Sequence, residues 1–133
     1  MASGEHAPVF EIGLRVYYED TDASGVVYHA NYLRYCERAR TEWLDSLGLD
    51  HRTLADTHGI AFTLADMSMR FVQPARLDDR LAVSLQIAQR TRARVVFAQQ
   101  IRRADDLLIQ GQFTVACVNI ANFRPCRLPD ALF

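Results

Sequence analysis

The chain has 133 residues, half of them hydrophobic and 23% charged, with a formal net charge of −1. That is one ordinary globular domain with a real core, and it lacks the broad basic field that nucleic acid or an acidic membrane would require. All 15 basic residues are arginines, which excludes a Schiff-base lysine.

In chain order, residues 1–7 are polar and small and are expected to form a flexible tail, with 8–133 a single domain. No basic region followed by an apolar run opens the chain, and no stretch approaches the roughly 18 consecutive apolar residues of a membrane span. A cytoplasmic, reduced setting is the expectation. VFEIGLRVYY (9–18) is rich in β-branched and aromatic residues and predicts a first strand. The acidic loop EDTDASGVVYHA (19–30) follows.

Beyond it, Tyr32, Cys36, Ala39, Trp43 and Leu47 recur at gaps of four, three, four and four. This spacing predicts a helix of about 16 residues, with Asn31 as its N-cap and Gly48 as its stop. Residues 50–58 predict a short second helix ended by Gly59. The period then changes to two: 60–72, LAVSLQIAQ (81–89), ARVVFAQQIRR (93–103) and LLIQGQFTVACVNI (107–120) predict four strands. Ala104-Asp105-Asp106 makes a hairpin turn between the last two.

No helix separates these four strands, so they are expected to pair antiparallel as a meander. The result is an α+β layer, one long helix covering one face of a five-stranded antiparallel sheet. VVFA and FTVACV carry apolar residues on both faces. One helix cannot cover both, so a second subunit is expected to bury part of the other face or an edge.

Cys36, Cys117 and Cys126 are odd in number and widely spaced, with no metal-ligand pattern. They are expected to be buried free thiols rather than redox or nucleophilic groups. His6, His51 and His58 carry no motif. No Ser-His-Asp constellation or GxSxG elbow is present, which argues against a serine hydrolase.

YYEDTDASGVVYHANYLRYCERARTEWL (17–44), continued by RFVQPARLDDRL (70–81), resembles the hotdog-fold acyl-CoA thioesterases of the 4-hydroxybenzoyl-CoA thioesterase type, and especially their tol-pal system-associated branch. The resemblance extends loosely to about residue 120. It implies a hotdog, one long helix wrapped by an antiparallel sheet. It also implies hydrolysis of an acyl-CoA to free acid and coenzyme A. The first Asp of D-x-x-G, here Asp22, would be the catalytic carboxylate, and the backbone N–H of His29 would polarise the thioester carbonyl. Sites of the family lie between two subunits, and dimers often pair into tetramers. Coenzyme A is part of the substrate, so no metal or other cofactor is implied, and an acyl carrier protein is a candidate partner.

The chemistry stands on its own terms. A thioester oxygen that becomes negative needs a donor, which unpaired N–H groups at a helix start provide. The carbonyl also needs a nucleophile or a base to deliver water, and Asp22 can fold back through the turn at Gly25. Glu19 and Asp20 are expected as solvated or ion-paired supports, while Tyr28 lies close enough to line the pocket. Tyr32 and Trp43 are expected in the core. Residues 60–66, with Phe62 and Leu64, are expected along the acyl slot. Arg90, Arg92 and Arg94 alternate, and on one strand they would make a basic ridge suited to coenzyme A phosphates. The competing functions are a hotdog hydratase or dehydratase, whose motif is not seen, and a binding module without turnover.

Overall fold

The computed structural model describes residues 9–132; the expected tail at 1–7 lies outside the described residues, as do residues 8 and 133. Strand β1 is Phe10–Arg15, followed by a 3-10 turn at Tyr18–Asp20. Helix α1 spans His29–Ser46 and helix α2 His51–His58. Strands β2 (Ile60–Phe71), β3 (Arg80–Arg90), β4 (Arg94–Arg103) and β5 (Asp106–Asn119) complete the sheet.

The expected α+β hotdog is present: one long helix lies in the curve of a five-stranded antiparallel sheet. Its order is β1-β3-β4-β5-β2, which corrects the simple meander. β3, β4 and β5 do run as hairpins, but β2 crosses over to pair with β5, and β1 occupies the place beside β3. Register shifts at Leu64/Asp66, Ile87/Gln89 and Ile101/Arg102 add a residue to one strand of a pair. Such bulges bend and twist a sheet, here around α1.

The apolar stripe of α1 meets the inner face of the sheet. Tyr32, Tyr35, Cys36, Ala39 and Leu44 are buried with Val83, Leu85, Phe97, Ile101, Phe113 and Cys117 in one cluster. Leu47, read as part of that stripe, is instead the exposed C-cap of the helix, and Gly48 follows it at φ 78°. Gln99 is the polar exception on the inner face. Its carbonyl accepts from Arg40 at 2.9 Å, and its amide donates to the Cys36 carbonyl at 3.1 Å. A buried amide satisfied in this way ties helix to sheet, whereas an unsatisfied one would cost about 1–3 kcal/mol.

The outer face differs from the sequence expectation. Ser84, Gln86, Gln100, Gln110 and Gln112 make most of it polar. Of its apolar members, Ala116 and Val118 are already buried within the chain, Val118 beside the returning segment at Pro125, while Val96 and Ala98 are half-buried. The unsatisfied surface is instead the free edge of β2, where Leu64, Phe71 and the following Val72 are 44%, 55% and 48% exposed. A long edge strand with apolar residues is a ready template for pairing with another chain.

Candidate functional site

The acidic loop closes on itself before it enters α1. Thr21 bridges Val27, the Asp22 N–H donates to the Val26 carbonyl at 2.9 Å, and the Gly25 N–H donates to the Asp22 carbonyl at 3.0 Å. Gly25 sits at φ 84°, a conformation a β-branched residue would resist. Asp20 holds the turn from below. One of its carboxylate oxygens accepts from the Tyr17 N–H and the other from the Asn31 amide, each at 2.8 Å. Asn31 therefore does not cap the helix; it is a buried residue of the first turn, and the cap position belongs to Tyr28.

Asp22 is pinned through one oxygen only. Oδ1 accepts from the backbone N–H of Ser24 at 2.8 Å and from the Ser24 hydroxyl, while Oδ2 meets no side-chain donor among the described residues. These two bonds, hydroxyl first, hold the Asp22 carboxyl below its ordinary value of 3.8, with a smaller contribution from His29. The carboxylate is therefore charged at every pH above 3.8 and is lost only as pH falls through the lowered value. Ser24→Ala is expected to raise the midpoint towards 3.8, as read from the pH titration of the Asp22 carboxyl carbon by NMR. At pH 7 both proteins keep the anion, so any rate loss there reports orientation rather than ionisation. An unchanged midpoint would mean that the hydroxyl bond is not formed in solution.

Asp22 shares a cleft of about 280 Å³ with Val26, Val27, His29, Tyr32 and the segment Phe71–Pro74. Among the described residues no side chain caps α1, and the N–H groups of His29 and Ala30 find no intrahelical or side-chain acceptor there. A carboxylate and the open start of an 18-residue helix thus meet at one small cavity. Tyr32, expected in the core, is buried but also walls the cleft, three residues and nearly one turn beyond His29. Its hydroxyl accepts from the Ala75 N–H at 3.0 Å, and burial raises its pKa, so it stays a neutral phenol. The i, i+3 spacing from His29 was the signal that would have placed it there.

Other expected residues stand elsewhere. Tyr28 is exposed and packs at a tilt against the His29 ring, 4.5 Å between centroids, outside the cleft walls. Phe62 lies nine residues from Phe71 along β2, on the order of 30 Å away. It walls a separate apolar pocket of about 90 Å³ with Leu44, His51, Val95, Phe97 and Leu132.

The three arginines do not form one ridge. Arg90 ends β3, Arg94 starts β4, and Arg92 lies in the turn between them. Arg90 donates to the Leu132 carbonyl and so anchors the C-terminal segment. Phe71 pairs with Ile109 and Arg94 with Ala116, so this hairpin is about 23 Å along β5 from the Asp22 end of the sheet. Among the described residues no group of three or more His, Cys, Asp or Glu could hold a metal ion, and no helix is long and apolar enough to cross a membrane.

Comparison with known proteins identifies the domain and its fold. Residues 16–133 match the thioesterase-like superfamily. The chain is 39% identical over 120 residues to the acyl-CoA thioesterase YbgC of Haemophilus influenzae, covering 90% of this chain and 88% of that protein. It is 38% identical over 125 residues to the acyl-CoA thioester hydrolase YbgC of Escherichia coli O6:H1, covering 93% and 92%. The crystal structure of a 1,4-dihydroxy-2-naphthoyl-CoA thioesterase from Synechocystis superposes with a TM-score of 0.87 at 31% identity, covering 94% of this chain and 93% of that one. With a matching domain, sequence and fold, the chain belongs to the thioesterase-like superfamily and is a thioester hydrolase on the hotdog fold.

Proposed function

We propose that the protein hydrolyses an acyl-CoA thioester to a free carboxylic acid and coenzyme A. The observation that carries this reading is the Asp22 carboxylate, fixed by one oxygen on the wall of the cavity where α1 begins uncapped. The acyl carbonyl oxygen points at the N–H of His29, which stabilises the negative charge of the tetrahedral intermediate. The open oxygen of Asp22 attacks the carbonyl carbon, or takes a proton from the water that does. The C–S bond then breaks and coenzyme A leaves as the thiolate. On the water route this gives the free acid, and the proton held by Asp22 passes to the thiolate. On the direct route it leaves an acyl–Asp22 anhydride, which water hydrolyses to the acid and the free carboxylate. This route needs no metal or prosthetic group.

The working unit in this reading is a dimer, alone or paired into a tetramer. Antiparallel pairing of two β2 edges about a two-fold axis sets the Ile60 half of one strand beside the Phe71 half of the other. Phe62 of the partner subunit then approaches the Asp22 cleft, and the partner's β3–β4 hairpin, with its arginines, is carried towards that end. The arginines and Phe62, remote within one chain, serve coenzyme A phosphates and the acyl group only in trans. The tol-pal-associated branch, resting on the D-x-x-G-V-V-Y-H-x-N-Y motif, an acyl carrier protein as a partner and a cytoplasmic location belong to the same proposal.

Release of free thiol from a panel of aliphatic and aromatic acyl-CoA substrates, followed with a thiol-reactive dye, tests the activity and ranks the acyl groups. Turnover of at least one is expected. Absence of thiol release across the panel would leave a binding module as the better reading.

A further inference from the structure

Two of the three cysteines meet outside the cleft. After β5 the chain turns at residues 120–123 and comes back antiparallel along it. Asn119 N–H donates to Arg124 at 2.8 Å, Val118 bridges Pro125, and Cys126 N–H donates to Cys117 at 2.9 Å. Cys117 and Cys126 are thus directly opposed, and their sulfurs stand 3.4 Å apart as thiols. Opposed residues of a hydrogen-bonded antiparallel pair have Cα atoms about 5.5 Å apart, within the separation that a disulfide bridges without backbone movement. Cys126 is half-buried and reachable, whereas Cys117 and Cys36 are buried.

We propose that Cys117 and Cys126 are a modification site, a dithiol that closes to an intramolecular disulfide by exchange with a small-molecule disulfide such as oxidised glutathione. The Cys126 thiolate attacks the reagent and forms a mixed disulfide, releasing one small thiol. Cys117 then attacks the Cys126 sulfur and releases the second. Two protein thiols are oxidised, one reagent disulfide is reduced to two thiols, and the S–H protons end on the leaving thiols. Burial first, and then the neighbouring Cys126 thiol, push the Cys117 thiol up to about 12. Burial persists in the mixed disulfide, so the second step needs the Cys117 thiol to ionise and quickens as pH rises.

The bond would clamp a segment with work to do in the fold. Downstream of Cys126, Leu128 and Leu132 are buried in the core, and the Leu128 N–H donates to Arg92 at 2.8 Å. Leu132 walls the same apolar pocket as Phe62. Oxidation therefore fixes the strap that closes that pocket, without touching Asp22.

The test uses the full folded chain, oxidised with glutathione disulfide at pH 8 and analysed by intact mass and non-reducing peptide mapping. Expected are the loss of two hydrogen masses, a single link between Cys117 and Cys126, a retained Cys36 thiol, and a melting temperature raised by about 5 °C or more. Cys126→Ser should abolish the link and the rise while leaving thioester turnover unchanged. A mixed disulfide that persists on Cys126, a link between two chains, or a link with no gain in melting temperature would each overturn the proposal.

Discussion

Asp22→Asn is expected to lower kcat at least about 100-fold, the smaller end of what losing a general base costs. The amide keeps an oxygen for Ser24 to bond, so the turn survives and the melting temperature should stay near that of the unaltered protein. What disappears is the negative charge and the basic lone pair of the open oxygen. The proper control is Glu19→Gln, an exposed acid of the same loop, which should retain most activity. Asp20→Asn is not a neutral control, because Asp20 binds both the Tyr17 N–H and the Asn31 amide. Its loss should lower stability and activity together. Near-normal turnover by Asp22→Asn with an inactive Glu19→Gln would place the chemistry on the wrong carboxylate. Full activity in both would sink the mechanism.

The second large effect is expected at the β2 edge. Light scattering should give the mass of a dimer or tetramer for the unaltered protein. Leu64→Asp puts a charge in the middle of the edge, at a side chain 44% exposed in one chain. Surface changes of this kind cost a monomer only about 0.5 kcal/mol, whereas an unpaired charge buried at an interface costs about 3–5 kcal/mol. The dimer dissociation constant should therefore rise at least about 100-fold, and turnover should fall with the loss of dimer. A monomeric but fully active Leu64→Asp protein would show that one chain completes its own site.

Local chemistry was legible in the sequence. The 3.6-residue stripe of α1 as far as Leu44, the left-handed Gly59 after α2 and the period-two strands depend on neighbours in the chain, and each stands where the local pattern put it. Asp22 and His29 do share a cavity, because a seven-residue turn leaves them little choice. Non-local pairing was not legible. Nothing in the order of strands tells β2 to pass β3 and pair with β5, and that crossover decides which edge stays open. The arginine alternation misled for a related reason: a shared face requires a continuous strand, and a turn interrupts this one between Arg90 and Arg94. Asn31 was misread as a cap because its true partner, Asp20, lies eleven residues earlier in a loop with no period at all.

The backbone of Ala75 is fully buried, and both of its polar groups are spoken for. Its carbonyl accepts from the Val27 N–H at 2.9 Å, and its N–H donates to the Tyr32 hydroxyl. The loop bearing Asp22 and the helix it feeds are thus gauged from the backbone of one residue in the connection between β2 and β3. Peptide groups are common to nearly all residue types, so substitutions in that connection leave the gauge intact as long as the side chains fit. A deletion or insertion between residues 72 and 75 would not, because it moves the reference point by a whole residue, about 3.3 Å. Variation in relatives with the same site should therefore be free in residue type along this connection and frozen in its length, so that an alignment gap here would mark a chain whose cleft is built differently.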